Sequence, residues 1–236
     1  MKPHEKYFSQ YGITHPAYTV YRVAGSSIRD NAARYFSGKM LEIGCGTKIK
    51  GLLVGEFVEE HIGLDHPDCP HDQSNIDIFA TAYDIPVTND SYDCILSTAV
   101  LEHLEEPQIA LNEAYRVLKP GGYALYTIPL FWHLHEEPRD FFRYTKYGLQ
   151  HLFEAAGFEI AELIPLSGYW VTSSSEWGYY LQRFRRGLIK YLVDGVVAFN
   201  NSLFPKLDSG IFRDERFSWM YLVVAYKPKQ ESSALR

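Results

Sequence analysis

Between residues 39 and 128 short apolar runs alternate with polar stretches of helix or loop length, the pattern of a βαβ series. The runs at 40–43, 61–64, 77–80, 92–96 and 123–128 are predicted strands. The connections between them are too long for hairpins, which implies a mostly parallel sheet. Leu111, Ala114, Tyr115 and Leu118 recur at helical spacing and run into Pro120, Gly121 and Gly122, a stop and a turn. Leu149, Leu152, Phe153 and Ala156 repeat the pattern, with Gly157 placed to cap the helix end. Runs at 158–164 and 219–226 supply a sixth and a seventh strand. Residues 1–38 read as a polar and aromatic N-terminal cover with a helix over 28–36, opened by Ser27 and Asp30 at capping-box spacing. Residues 167–215 form an insertion that a minimal doubly wound domain (39–227) does not need, and 228–236 a tail. Within the insertion, a helix over 180–192 would put Leu181, Phe184, Leu188 and Tyr191 on one face and Arg183, Arg186 and Lys190 on the other. Such a helix would lie on an anionic membrane surface or serve as a lid or dimer contact.

Composition narrows the classes. The 236 residues suit one domain, and the 46% apolar and 22% charged fractions are those of a globular chain. Tyr and Phe are abundant, at 18 and 14 residues, and concentrate before Phe36 and after Phe131, which points to an aromatic-lined acceptor site. A formal charge of -6 without a compensating Lys/Arg run repels a phosphate backbone, so no nucleic-acid partner is expected. Three cysteines without framework spacing suit a reducing compartment. The absence of a leader-like start or a long apolar stretch adds to a cytoplasmic expectation.

The chemistry begins at Leu41, Glu42, Ile43, Gly44, Cys45, Gly46 and Thr47, a glycine turn directly after a buried strand. Glycine lets backbone approach a ligand where a Cβ would collide. Asp65 ends the next strand, about 20 positions on, where a carboxylate accepts from ribose hydroxyls. Glu42 would attract a cationic methionine amine and repel a pyrophosphate. Lys48 stands near where a dinucleotide fingerprint has its third glycine. Asp84 is placed to accept from an adenine amino group while Ile85 packs on the ring.

With STAVLEHL (97–104) and AYRVLKPGG (114–122), residues 41–129 resemble the class I methyltransferases, specifically the type 11 methyltransferase domain. The resemblance implies a Rossmann-like, doubly wound α/β fold with seven strands in the order 3-2-1-4-5-7-6, strand 7 antiparallel. It also implies S-adenosylmethionine as cofactor, with S-adenosylhomocysteine as product. Glu42, Gly44, Cys45 and Gly46 would hold the methionine part, Asp65 with His66 the ribose, Asp84 and Ile85 the adenine. Ser97 and Thr98 would lie near the sulfonium. The acceptor would be a small molecule methylated on O or N, of the sugar, cell-envelope or natural-product kind.

For the acceptor side, His103 follows strand four and His135 follows strand five, and either suits a general base, His135 with Glu136 or Glu137 as its orienting carboxylate. Asp140 and Arg143 would contact substrate or pair to fix the loop. His66, Cys69 and His71, or His133 with His135, fall short of a full tetrahedral ligand set, so no metal is expected. Two other functions stay open: a non-catalytic cofactor-binding protein, and a nicotinamide-dependent reductase, against which the Tyr35 and Lys39 pair lies on the wrong side of the glycine turn.

Overall fold

A computed structural model describes residues 1–69 and 72–229. Its helices are α1 (Pro3–Phe8), α2 (Tyr18–Tyr35), α3 (Gly51–Val54), α4 (Pro107–Val117), α5 (Lys146–Ala155), α6 (Tyr169–Gln182) and α7 (Ile189–Leu207). Its strands are β1 (Lys39–Ile43), β2 (Glu60–Asp65), β3 (Ile78–Phe79), β4 (Tyr92–Thr98), β5 (Leu118–Pro129), β6 (Glu159–Pro165) and β7 (Met220–Tyr226). They form one sheet in the order β3-β2-β1-β4-β5-β7-β6. The pairs from β3 to β5 are parallel, and β7 runs antiparallel between β5 and β6.

The central strands are apolar at nearly every position because both faces of the sheet are covered. Side chains alternate faces, so neighbouring residues belong to different cores. Leu41, Ile95 and Ala124 join one core with Leu111 and Ala114 of α4 and Leu149 and Phe153 of α5. Met40, Leu96 and Leu125 join the other with Val20, Ala24, Ile28 and Ala32 of α2. Burial of each large side chain contributes about 1.5–3 kcal/mol, which makes the sheet centre a rigid platform for the loops at its edge.

Three elements depart from the expected ones. The cover helix begins ten residues earlier, at Tyr18, and passes through Ser27 and Asp30 without a cap. Its early part is held by tertiary contacts: the buried Tyr7 ring stacks on Tyr21 at 4.5 Å and 9°, over Gly25, where a Cβ would sit 2.6 Å from that ring. The fifth strand starts at Leu118, which pairs with Tyr92 instead of extending α4. No single helix spans 180–192: α6 ends at Gln182, the chain turns through Gly187 at φ 52°, and α7 starts at Ile189. The expected polar and apolar faces are therefore split across a hairpin of helices. Asn201 fastens its second arm to the cover, accepting from Thr19 Oγ1 at 3.0 Å and donating to the Ile13 and His15 carbonyls. Among the described residues no helix is long and apolar enough to cross a membrane.

Candidate active site

Parallel pairing brings the carboxyl ends of β1, β2, β4 and β5 to one edge, the place where open α/β sheets bind ligands. There Gly44 (φ 70°) and Gly46 (φ 51°) reverse the chain after β1. The Gly44 and Cys45 amides both donate to the Leu64 carbonyl, at 2.9 and 3.1 Å. Gly46 N–H donates to Asp65 Oδ2 at 2.6 Å, and His66 N–H to Asp65 Oδ1 at 2.7 Å. The turn and the acidic end of β2 are thus one hydrogen-bonded unit. Each Asp65 oxygen keeps a lone pair, so two adjacent hydroxyls can still donate to it, which fits a ribose.

Other residues expected around the cofactor serve the frame. The missing Cβ of Gly44 makes room for Val100, whose Cγ2 would lie 2.3 Å from it, and not for a ligand alone. Glu42 is buried, and its carboxylate lies 2.7 Å from His61 Nε2, so it lies beneath the turn already partnered. The Cys45 thiol packs against Gly63 and is pushed up to about 12 by burial; its amide and carbonyl are spent within the turn. Ile85 is in the core, 1% exposed, because its loop is clamped: its N–H donates to Glu113 Oε2 at 2.9 Å and its carbonyl accepts from Arg116 at 2.8 Å. It therefore offers no open side chain to an adenine ring, whereas Asp84 beside it is exposed. Ser97 is buried and Thr98 half-buried at the end of β4. Lys48, at φ 55°, turns its ammonium away to Asp77 (2.7 Å) and the His61 carbonyl (2.9 Å).

Beyond β4 and β5 the edge carries a second group. Leu101, Glu102 and His103 form a short 3-10 turn, and Glu102 has no exposed surface. Burial pushes its carboxyl up to about 8. His103 Nε2 and His135 Nε2 lie 3.9 and 4.0 Å from Glu102 Oε1, with the two rings 4.7 Å apart. The carboxylate facing His135 Nδ1 is Asp140, at 3.4 Å, not Glu136 or Glu137; Glu136 instead lies 3.9 Å from His103. Burial first, then the His103 charge, lowers His135 below the ordinary imidazole range. Arg143 braces the loop through Asp140 (2.6 and 2.8 Å) and the carbonyls of Trp132, His133 and Phe142. Asp140 and Arg143 are thereby the loop-fixing pair. Next to them opens a cavity of about 400 Å³ walled by Phe131, Trp132, Tyr169, Trp177 and Phe217. Its polar groups include His133 and Glu176, 3.7 Å apart, with His133 Nδ1 and Glu176 Oε1 buried and otherwise unbonded.

Residues 41–126 match the family model described as a methyltransferase domain. A probable S-adenosylmethionine-dependent methyltransferase of Mycolicibacterium smegmatis is 28% identical over 137 residues, 53% of each chain. Residues 41–126 carry a methyltransferase domain. A ubiquinone biosynthesis O-methyltransferase of Ruegeria pomeroyi is 28% identical over 44% of this chain and 47% of its own. The chain spans about half the length of the curated relatives it matches. The fold is shared with the 4+2 cyclase SpnF (TM-score 0.58, 19% identity, 89% of this chain and 83% of that one). It is also shared with phosphoethanolamine N-methyltransferase 2 of Haemonchus contortus, in complex with S-adenosylhomocysteine (TM-score 0.56, 17% identity, 87% and 53%).

The structure brings together Gly44, Gly46, Asp65 and His66 after β1 and β2, and His103 with His135 beyond β4 and β5. It turns Cys45 and Ile85 inward and leaves Glu42 beneath the turn. Two residues escaped the sequence. Glu102 stood beside His103 in LEHL, but adjacency does not reveal complete burial. Glu176 is 43 positions from His133, and only the aromatic excess around it hinted at a site. In the His66, Cys69 and His71 group, from which no metal is expected, His66 accepts the Asp68 amide at Nδ1, and His71 lies outside the described residues.

Proposed function

We propose that this chain transfers a methyl group from S-adenosylmethionine to an oxygen or nitrogen of a small acceptor with a flat, largely apolar body. The observation that carries this reading is the Asp65 and glycine-turn unit sharing a sheet edge with an aromatic cavity of about 400 Å³. Bound there, S-adenosylmethionine supplies an electrophilic methyl carbon. The acceptor lone pair forms the new bond to carbon as the carbon–sulfur bond breaks and its electron pair goes to sulfur, leaving S-adenosylhomocysteine. Asp65 holds the ribose, and Asp84 faces the adenine. The aromatic walls exclude water and align the acceptor. His103 and His135 hold the reacting atom at the polar end, and His133, paired with Glu176, receives the proton that a hydroxyl must lose. The ubiquinone-pathway relative acts on oxygen by name, and the aromatic lining here favours a ring hydroxyl among sugar, cell-envelope or natural-product intermediates.

Calorimetry with S-adenosylmethionine, followed by label transfer into small-molecule extracts, tests this reading. Asp65→Ala is expected to weaken cofactor binding at least tenfold, about the worth of a charge-assisted hydrogen bond. Glu176→Gln is expected to leave that affinity unchanged and lower turnover by roughly 10²-fold. Unaltered binding by Asp65→Ala overturns the cofactor assignment, and binding without transfer to any acceptor leaves a cofactor-binding protein.

The hairpin between α6 and α7 supports an apolar source for that acceptor. Phe184, Leu188, Ile189, Tyr191 and Leu192 are exposed there, Leu188 at 84%, among Arg183, Arg186 and Lys190. In a chain of net charge -6 this cationic, apolar tip complements an anionic lipid surface.

A further inference from the structure

Glu102 is fully buried, and neither of its carboxylate oxygens has a hydrogen-bond partner. A buried carboxyl group left without a partner is costly, and native structures rarely keep one without a role. The nearby Arg143 cannot serve it: all five of its N–H groups are directed at Asp140 and the carbonyls of Trp132, His133 and Phe142.

What does face Glu102 is a pair of imidazoles, each tethered from behind. His103 Nδ1 lies 2.5 Å from the Arg139 carbonyl oxygen, an acceptor only, so that nitrogen carries a proton and Nε2 is the atom left to face Glu102. His135 Nδ1 lies 3.4 Å from both Arg143 Nη2 and Asp140 Oδ2, and the same carboxylate oxygen accepts the His135 amide at 3.0 Å. Both Nε2 atoms then point at Glu102 Oε1 from 3.9 and 4.0 Å, too far for a hydrogen bond. Glu102, His103 and His135 each offer one ligand atom, and these three atoms lie within 4.8 Å of one another. Metal-binding histidines are usually held through the opposite ring nitrogen, as His103 is by the Arg139 carbonyl.

We propose that Glu102, His103 and His135 bind one divalent first-row transition metal ion. Two nitrogens and one oxygen select such an ion over Mg²⁺ or Ca²⁺, which prefer oxygen alone. The ligand atoms must close by about 1 Å to reach cis spacing around an ion, a movement of side chains on a surface turn and a loop. Binding of the metal does not depend on the methyl-transfer reading. Its use, polarising an acceptor hydroxyl at the end of the cavity, does rest on that reading.

The test uses the full chain, stripped with a chelator and titrated with Co²⁺, whose visible absorption reports nitrogen ligation, alongside calorimetry with S-adenosylmethionine. One Co²⁺ per chain is expected, with the imidazole signature, and excess Mg²⁺ should not displace it. Glu102→Gln, His103→Ala and His135→Ala should each weaken binding at least tenfold, as loss of a ligand does, while cofactor affinity stays as in the wild type. Co²⁺ should raise the wild-type melting temperature and leave that of Glu102→Gln in place, so a misfolded variant cannot pass for a lost ligand. Absence of saturable binding, binding indifferent to all three substitutions, or displacement by Mg²⁺ overturns the proposal. Co²⁺ binding without cofactor binding would uphold the metal site and refute the transfer reading; the reverse result would refute the site alone.

Discussion

Gly44 and Gly195 are both glycines, yet their surroundings predict opposite results on substitution. Gly44 combines a left-handed φ of 70° with Val100 at 2.3 Å from where a Cβ would stand. Gly195 lies within α7 with nothing within 4 Å of its added Cβ. Gly44→Ala is therefore expected to destabilise the fold by about 2–4 kcal/mol, combining backbone strain with overpacking. Gly195→Ala is expected to stabilise it by up to about 1 kcal/mol through helix propensity. Urea unfolding of the two variants checks both signs. The glycine pattern was legible in the sequence as a turn, but its use as space for Val100 was not, because the two residues meet only across the β1 and β4 pairing. Burial is equally hidden: Ile85 is in the core although Asp84 beside it is exposed.

At the scale of elements, α4 holds the loop after Asp84 through Arg116, which donates to the Val87 and Ile85 carbonyls and to Glu113. The Arg116 hydrogen bonds depress the Glu113 carboxyl below the ordinary range, against the effect of burial. A depressed folded value stabilises at pH above the unfolded carboxylate range and is lost as pH falls through the folded value. Glu113→Gln should thus cost about 1 kcal/mol at neutral pH and make stability less steep on the acid side, measured by thermal melts from pH 7 down to about 3. The helix register behind this, Leu111 to Leu118, was readable from periodicity up to its end. The true stop came at Val117 because Leu118 gained a strand partner in Tyr92.

Taken as a whole molecule, the chain is an α/β sheet whose ligand edge is crowned by the insertion. The same insertion supplies Glu176 and Trp177 to the cavity and carries the cationic, apolar hairpin tip outward. Vesicles containing phosphatidylserine should therefore pellet the wild-type protein, and Arg183→Glu with Leu188→Asp should abolish this without changing S-adenosylmethionine affinity. Equal pelleting of the double variant, or none by the wild type, removes the membrane surface from the account. The screening length sets a further expectation: binding should weaken as salt rises well above physiological strength.

The sequence alone determined the sheet and its cofactor end, since alternation of apolar runs, the glycine turn and Asp65 act through neighbours close along the chain or through strands that pattern identifies. Strand order and the antiparallel seventh strand followed from the family resemblance. Tertiary structure decided the rest. Whether Glu42 is exposed, where Ile85 points, which carboxylate orients His135, and that Glu176 meets His133 all depend on side-chain contacts between distant segments. So does the break at Gly187, where 180–192 has the apolar spacing of one helix but packs as two. Periodicity records which residues prefer burial. Only the packed chain settles what they are buried against.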